Sequence, residues 1–183
     1  MDKTTLKALK LQEKAVRSLY KRACKDPREK LHYSYIQNGL QYVCDGFSLF
    51  GITNYIDLPV TKDYIDVDYI FSSCCKGQSK QIDLPSADYL KLEIKRAREK
   101  KLPAVYHFGE GFPYVNAKFL LCCIEAFPEA YASVYLLPRK SNYERSAISF
   151  LSSFNDFGIL LPIRATDLVK LKNDNYVFTG GTK

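Results

Sequence analysis

The sequence predicts one α+β domain over 1–183, in which a helix followed by three strands occurs twice, with a further helix near 86–101 inserted between the halves. Apolar residues recur at helical spacing over the first 25 residues. After His32 they alternate around an Asn-Gly turn. From about residue 103 the same order, a helix and then strands, begins again. The first half is expected over 4–72, the inserted segment over 73–102, the second half over 103–166 and a C-terminal extension over 167–183. The repeat is one of element order and carries no obvious sequence identity.

Leu6, Leu9, Val16, Leu19, Tyr20 and Ala23 share one side of a helix that turns about 100° per residue. Lys25-Asp26-Pro27 stops it, because proline disfavours helical geometry in the residue before it. Tyr33–Ile36 and Leu40–Cys44 flank Gln37-Asn38-Gly39, and Asn-Gly is a strong hairpin signal. Asp45-Gly46 turns the chain into Phe47–Ile52, apolar at alternate places. A further strand candidate runs from Tyr64 to Phe71, where Ile65, Val67, Tyr69 and Phe71 alternate with Asp66 and Asp68. Cys74–Lys80 reads as a polar loop, and Pro85-Ser86 opens a helix over Ala87–Lys100. Leu102–Phe108 is extended and ends at the Gly109-Glu110-Gly111 turn. Val115–Phe127 reads as a short apolar helix with Asn116 as N-cap and with Leu120, Leu121, Ile124 and Phe127 in the core. Strands follow at Ala132–Leu137, Ala147–Ser152 and Phe157–Ile163, the last two joined by an Asn155-Asp156 turn.

Hydrophobic residues at 46% and charged residues at 26% place the chain among ordinary globular domains. No apolar run approaches the roughly 20 residues of a membrane span, and no secretory leader opens the chain, so a cytoplasmic location is expected. Cys74–Cys75 and Cys122–Cys123 are adjacent pairs and Cys24 and Cys44 stand alone, a placement that suits free, mostly buried thiols rather than disulfides. No CxxC pair or Cys/His quartet suggests a metal, and no phosphate loop suggests a nucleotide cofactor. A net charge of +7 admits a polyanion as partner without locating a site for it.

The segments Tyr114–Leu121 and Glu125–Ala130 resemble the helix that opens a half-domain in bacterial DNA polymerase III beta sliding clamps. There a small polar start, a doubled apolar pair and a proline-led exit precede three strands. Ile159-Leu160-Leu161-Pro162-Ile163-Arg164 is similar to the closing strand of such a half. Ile36–Gly39 and Tyr42–Phe50 resemble the clamp's strand pair around a Cys-Asp-Gly step. The likeness spans 4–52 and 103–166. It implies a DNA clamp-like domain, with two helices side by side backed by two antiparallel sheets, and a processivity factor from a phage or mobile-element replication set. The family builds rings from about six such domains, several fused in each chain, whereas this chain carries one.

Lys3, Lys7, Lys10, Lys14, Arg17, Lys21 and Lys25 follow one another at three- or four-residue steps. At about 100° per residue they lie within an arc of about 80°, well away from the apolar side. A rigid row of long cations suits the repeating phosphates of duplex DNA, which it would position without reading sequence. In the clamp family the corresponding helix faces the duplex. A Lys-rich solvated face is the plain alternative, but Asp2 and Glu13 are the only acids before Asp26. The second helix adds Lys118 against Glu125, so that half of the lining is sparse. The helix near 86–101 carries Lys91, Lys95, Arg96, Arg98, Lys100 and Lys101, tempered by Asp88, Glu93 and Glu99, and reads as a docked surface helix.

The expected function is therefore non-enzymatic: backbone contact with duplex DNA, with self-association into a ring or smaller homo-oligomer and replication proteins as further partners. One rival is a protein-interaction module on a clamp fold that no longer binds DNA. Another is a small hydrolase or nuclease using His107 and Glu110, although no nucleophile or metal cluster stands near them. Tyr64, Tyr69, Tyr89, Tyr106, Tyr131 and Tyr143 could stack on bases, but sheet and edge packing is the simpler role.

Overall fold

Asp2 sets the start of α1 (Lys3–Ala23), its carboxylate accepting from Thr5 N at 2.6 Å in an N-cap. A computed structural model of the chain describes residues 2–62, 65–75, 77–135, 146–152, 155–163 and 168–181. Beyond a 3₁₀ turn at Glu29–His32, β1 (Tyr35–Gln37) and β2 (Leu40–Cys44) form the expected hairpin. Asn38 and Gly39 turn it with φ of 51° and 75°, the left-handed pair that a tight hairpin needs. Asp45 then accepts from the backbone N–H groups of Phe47 and Ser48, which turns the chain into β3 (Ser48–Ile52).

Two expectations fail in the next stretch. Val67–Cys74 forms a helix, α2, and not a strand; Tyr64 lies outside the described residues. Asp66 caps α2 by accepting from Tyr69 N, and Val67, Ile70, Phe71 and Cys74 pack together at helical spacing beneath the sheet. The supposed loop at Cys74–Lys80 leads into an edge strand, β4 (Ser79–Ile82). The helix α3 (Ala87–Glu99) starts at Ser86 as read. It is followed by β5 (Ala104–His107), β6 (Tyr114–Asn116) and α4 (Ala117–Ala126), the last capped by Asn116. Then come β7 (Tyr131–Tyr135), β8 (Ile148–Leu151), β9 (Phe157–Leu160), α5 (Leu168–Asp174) and β10 (Tyr176–Phe178). Leu136, Leu137, Tyr143 and Arg164 lie outside the described residues.

The strands form a seven-stranded antiparallel sheet in the order β1-β2-β3-β9-β8-β7-β4, and a three-stranded sheet in the order β10-β5-β6. The expectation of two antiparallel sheets is corrected on this point, because β10 runs parallel to β5. The first-half strands β1–β3 and the second-half strands β7–β9 share one sheet and meet where β3 pairs with β9, Leu49 opposite Ile159 and Phe50 opposite Gly158. Alternation divides the strands between two cores. Val43, Phe50, Ile148, Phe150, Val134 and Leu160 pack under α1 and α4, whereas Tyr42, Leu49, Phe157 and Ile159 pack against α2 on the other face. Leu90 and Ala97 of α3 sit in the main core. Phe178 of β10 enters the same core, and Leu171 of α5 packs with Val105 and Tyr114.

Candidate nucleic-acid interface

The side of α1 that is buried comprises Gln12, Ala15, Val16, Leu19 and Ala23. Leu6, read as part of that side, is 43% exposed because at about 100° per residue it lies about 120° from the centre of the buried side. Lys3, Lys7, Lys10, Lys14 and Lys21 are all exposed, and at about 100° per residue their row is centred about 180° from the buried side. Docking α1 by its apolar face therefore turns the row straight outward. Two members of the predicted site differ. Lys25 is exposed but lies past the helix end at Ala23, and Arg17 is engaged with Glu13 at 2.8 Å and with Asp57 O at 3.2 Å.

Neighbouring elements fix the orientation of α1. Gln12 Nε2 donates to Ala126 O at 3.3 Å, Cys122 Sγ donates to Ala15 O at 3.2 Å, and the Arg22 guanidinium lies 4.4 Å from the Phe119 ring centre. Rising numbers on α1 thus meet falling numbers on α4, and the two helices lie antiparallel, side by side. Arg22 is the α1 cation that turns inward. Its Nε donates to the buried Asp45 carboxylate at 2.7 Å, and its Nη1 lies 3.9 Å from Cys122 Sγ. Burial works against the Arg22 charge, but the Cys122 thiol and Asp45 outweigh it and hold its pKa above the usual value. Burial pushes the Cys122 thiol up, so it stays protonated as a hydrogen-bond donor.

Lys118 is exposed at the start of α4. Glu125, at the other end, is drawn to Lys91 of α3 at 3.1 Å, so α4 is bracketed by α1 on one side and α3 on the other. Glu93 on the inner side of α3 is buried and takes Arg96 and Tyr176 as partners, which makes it a packing group. His107 stacks on Tyr114 with ring centres 3.9 Å apart and planes 3° from parallel, while Glu110 sits exposed in the following turn. Tyr89 and Tyr106 donate to Thr179 O and Gly180 O, and so hold the C-terminal strand in place.

One feature of this face escaped sequence reasoning. Beneath the first half of α1 lies a cavity of about 340 Å³, between α1, the end of α4, and the turns after β3 and β8. Gln12, a polar residue on the otherwise apolar side of α1, was the only local signal of it. Among the described residues no cluster of His, Cys, Asp and Glu could hold a metal ion, and no helix is long and apolar enough to cross a membrane. No protein-family model, curated protein or solved structure matches this chain.

Proposed function

We propose that the chain is a non-enzymatic DNA-associated protein whose clamp-like domain lays α1 along the phosphate backbone of duplex DNA. The observation that carries this reading is the row of Lys3, Lys7, Lys10, Lys14 and Lys21, exposed along a helix anchored by its opposite side. The anchored backbone holds the cations in one line before any partner arrives, which lowers the ordering cost of contact. Lys118 extends the basic surface onto α4. Support for the clamp likeness comes from the antiparallel α1/α4 pair and from two helix–three-strand runs that join between β3 and β9. In this reading copies of the chain associate into a ring or a smaller oligomer around the duplex and serve replication proteins.

Binding of a labelled duplex at several salt concentrations tests the idea. Five engaged lysines give a slope of log K against log salt of about −4.5, equivalent to about 500-fold between 50 and 200 mM. Lys7→Glu/Lys14→Glu/Lys21→Glu, all on the solvent side, should leave circular dichroism unchanged and abolish binding. Binding that ignores salt, or that survives the triple variant, would sink the reading. A protein-interaction module is the second reading, favoured by the sparse lining on α4, where Lys118 is the one cation in Ala117–Ala126. A folded oligomer with no affinity for DNA at low salt would select it.

A further inference from the structure

The helix layer carries an ordered set of cations on α3 as well as on α1. Lys91, Lys95 and Arg98 are exposed and follow one another at four- and three-residue steps. At about 100° per residue they fall within an arc of about 60°, centred about 130° from the side that buries Leu90, Glu93 and Ala97. The arc lies on the flank of α3 nearest α4, where Lys91 reaches Glu125 at 3.1 Å. Lys91 also lies 3.7 Å from Asp88. Lys95 and Arg98 enter no ion pair among the described residues. Arg96 differs from them, since it lies on the opposite flank and is held by the buried Glu93.

Because α1, α4 and α3 bury their inner sides in one core, their outer sides face the same way. Lys118 and Glu125 are about two turns apart and share the outer side of α4. The contact of Lys91 with Glu125 therefore sets the α3 row on the same surface as the α1 row, with α4 between them. Packed helices stand about 8–10 Å apart, which puts the axes of α1 and α3 about 16–20 Å from each other. Long side chains leaning inward from both rows then bracket a span close to the major groove of B-DNA, about 12 Å wide. Little charge of α4 itself opposes a polyanion there, since Glu125 is already joined to Lys91 and Lys118 is free.

We infer that Lys95 and Arg98 of α3 form a second phosphate-binding row, with the duplex lying over α4 between this row and the lysines of α1. The inference rests on the DNA-binding reading of α1 and adds to it the side of α1 on which the duplex lies. Lys91, shared between Asp88 and Glu125, fixes the row to α4 and is not counted among its phosphate contacts.

Fluorescence anisotropy of a labelled duplex of about 20 base pairs, read against full-length protein at salt between about 50 and 200 mM, tests this. Each phosphate contact adds about −0.9 to the slope of log K against log salt. The five lysines of α1 alone give about −4.5, and Lys95 and Arg98 should steepen the parent slope to about −6.3. Lys95→Gln/Arg98→Gln alters only exposed side chains, so circular dichroism should be unchanged while the slope returns to about −4.5. Lys62→Gln/Lys172→Gln removes the same charge from exposed residues outside α1, α3 and α4, and should leave the slope near −6.3. A slope that Lys95→Gln/Arg98→Gln does not change, or an equal loss from Lys62→Gln/Lys172→Gln, would overturn the second row and leave the first standing. Absence of duplex binding, or binding that survives Lys7→Glu/Lys14→Glu/Lys21→Glu, would overturn both rows together.

Discussion

Phe127 is where the helix layer is pinned to the junction of the two halves, and its replacement gives the sharpest test of the packing. The residue follows α4, is 1% exposed, and meets Phe50 of β3 edge to face, with ring centres 5.0 Å apart at 77°. On β9 the facing residue is Gly158, and a Cβ built there would stand 2.5 Å from the Phe127 ring. Phe127→Ala removes a buried ring and leaves a hole, at a cost of about 3–5 kcal/mol. Gly158→Ala inserts a methyl where the ring already sits, at about 1–3 kcal/mol of overpacking. In the double variant the new methyl enters the space left by the ring. The glycine substitution should then cost close to nothing, and the two changes should couple by about 1–3 kcal/mol. Urea unfolding followed by tyrosine fluorescence measures this. With a slope of about 2 kcal/mol per molar urea, Phe127→Ala should lower the midpoint by about 2 M, and Gly158→Ala should lower it again only in the wild-type background. Additive effects, or a Gly158→Ala protein as stable as the parent, would refute the account of how the halves are joined.

Two further outcomes follow from charged pairs. Arg22→Met keeps an apolar stem over Phe119 but leaves the buried Asp45 carboxylate without its cation, and should cost about 3 kcal/mol in the same urea assay, with Arg22→Met/Asp45→Asn recovering part of it; a neutral Arg22→Met would show that the pair contributes nothing. Asp26 accepts from Arg28 through its side chain and backbone, which lowers its pKa to about 2. A carboxylate depressed in the folded state stabilises above its unfolded pKa of about 3.9, and the contribution is lost as pH falls through about 2. A carbon-detected titration should place its midpoint near 2 in the parent and nearer the ordinary value in Arg28→Ala; equal midpoints would remove Arg28 as the cause.

The parts of the fold legible in the sequence are those set by near neighbours in the chain. Asp2, Ser86 and Asn116 cap helices because each needs only the backbone two or three residues on. Val67–Cys74 shows the limit of that logic. Ile65, Val67, Tyr69 and Phe71 alternate like a strand, yet Val67, Ile70, Phe71 and Cys74 also satisfy a helical face, and over so short a run the two periods compete. The Asp66 cap and burial under Tyr42 and Phe157 decided for the helix. The edge strand β4 was hidden for a different reason. Three of its four residues, Ser79, Lys80 and Gln81, are polar, as suits an exposed edge, and the partner that makes them a strand is β7, about fifty residues further along.

The same distinction separates the lysine row from the cavity beneath α1. The lysine row is a property of α1 alone: three- and four-residue spacing places the cations on one face whatever α1 packs against, and tertiary structure adds only that this face points outward. The cavity has no such local cause. Gln12 and Asp156 are separated by 144 positions and meet only because α1 lies antiparallel to α4 and because β8 and β9 turn back beneath its N-terminal half. From the sequence, Asp156 reads as a turn residue and nothing local ties it to Gln12. Their juxtaposition joins two locally unremarkable polar residues in a buried hydrogen bond, Gln12 Nε2 donating to the Asp156 carboxylate at 2.7 Å. The meeting of these two residues is thus a consequence of topology, whereas the alignment of the lysines on α1 is a consequence of helical spacing.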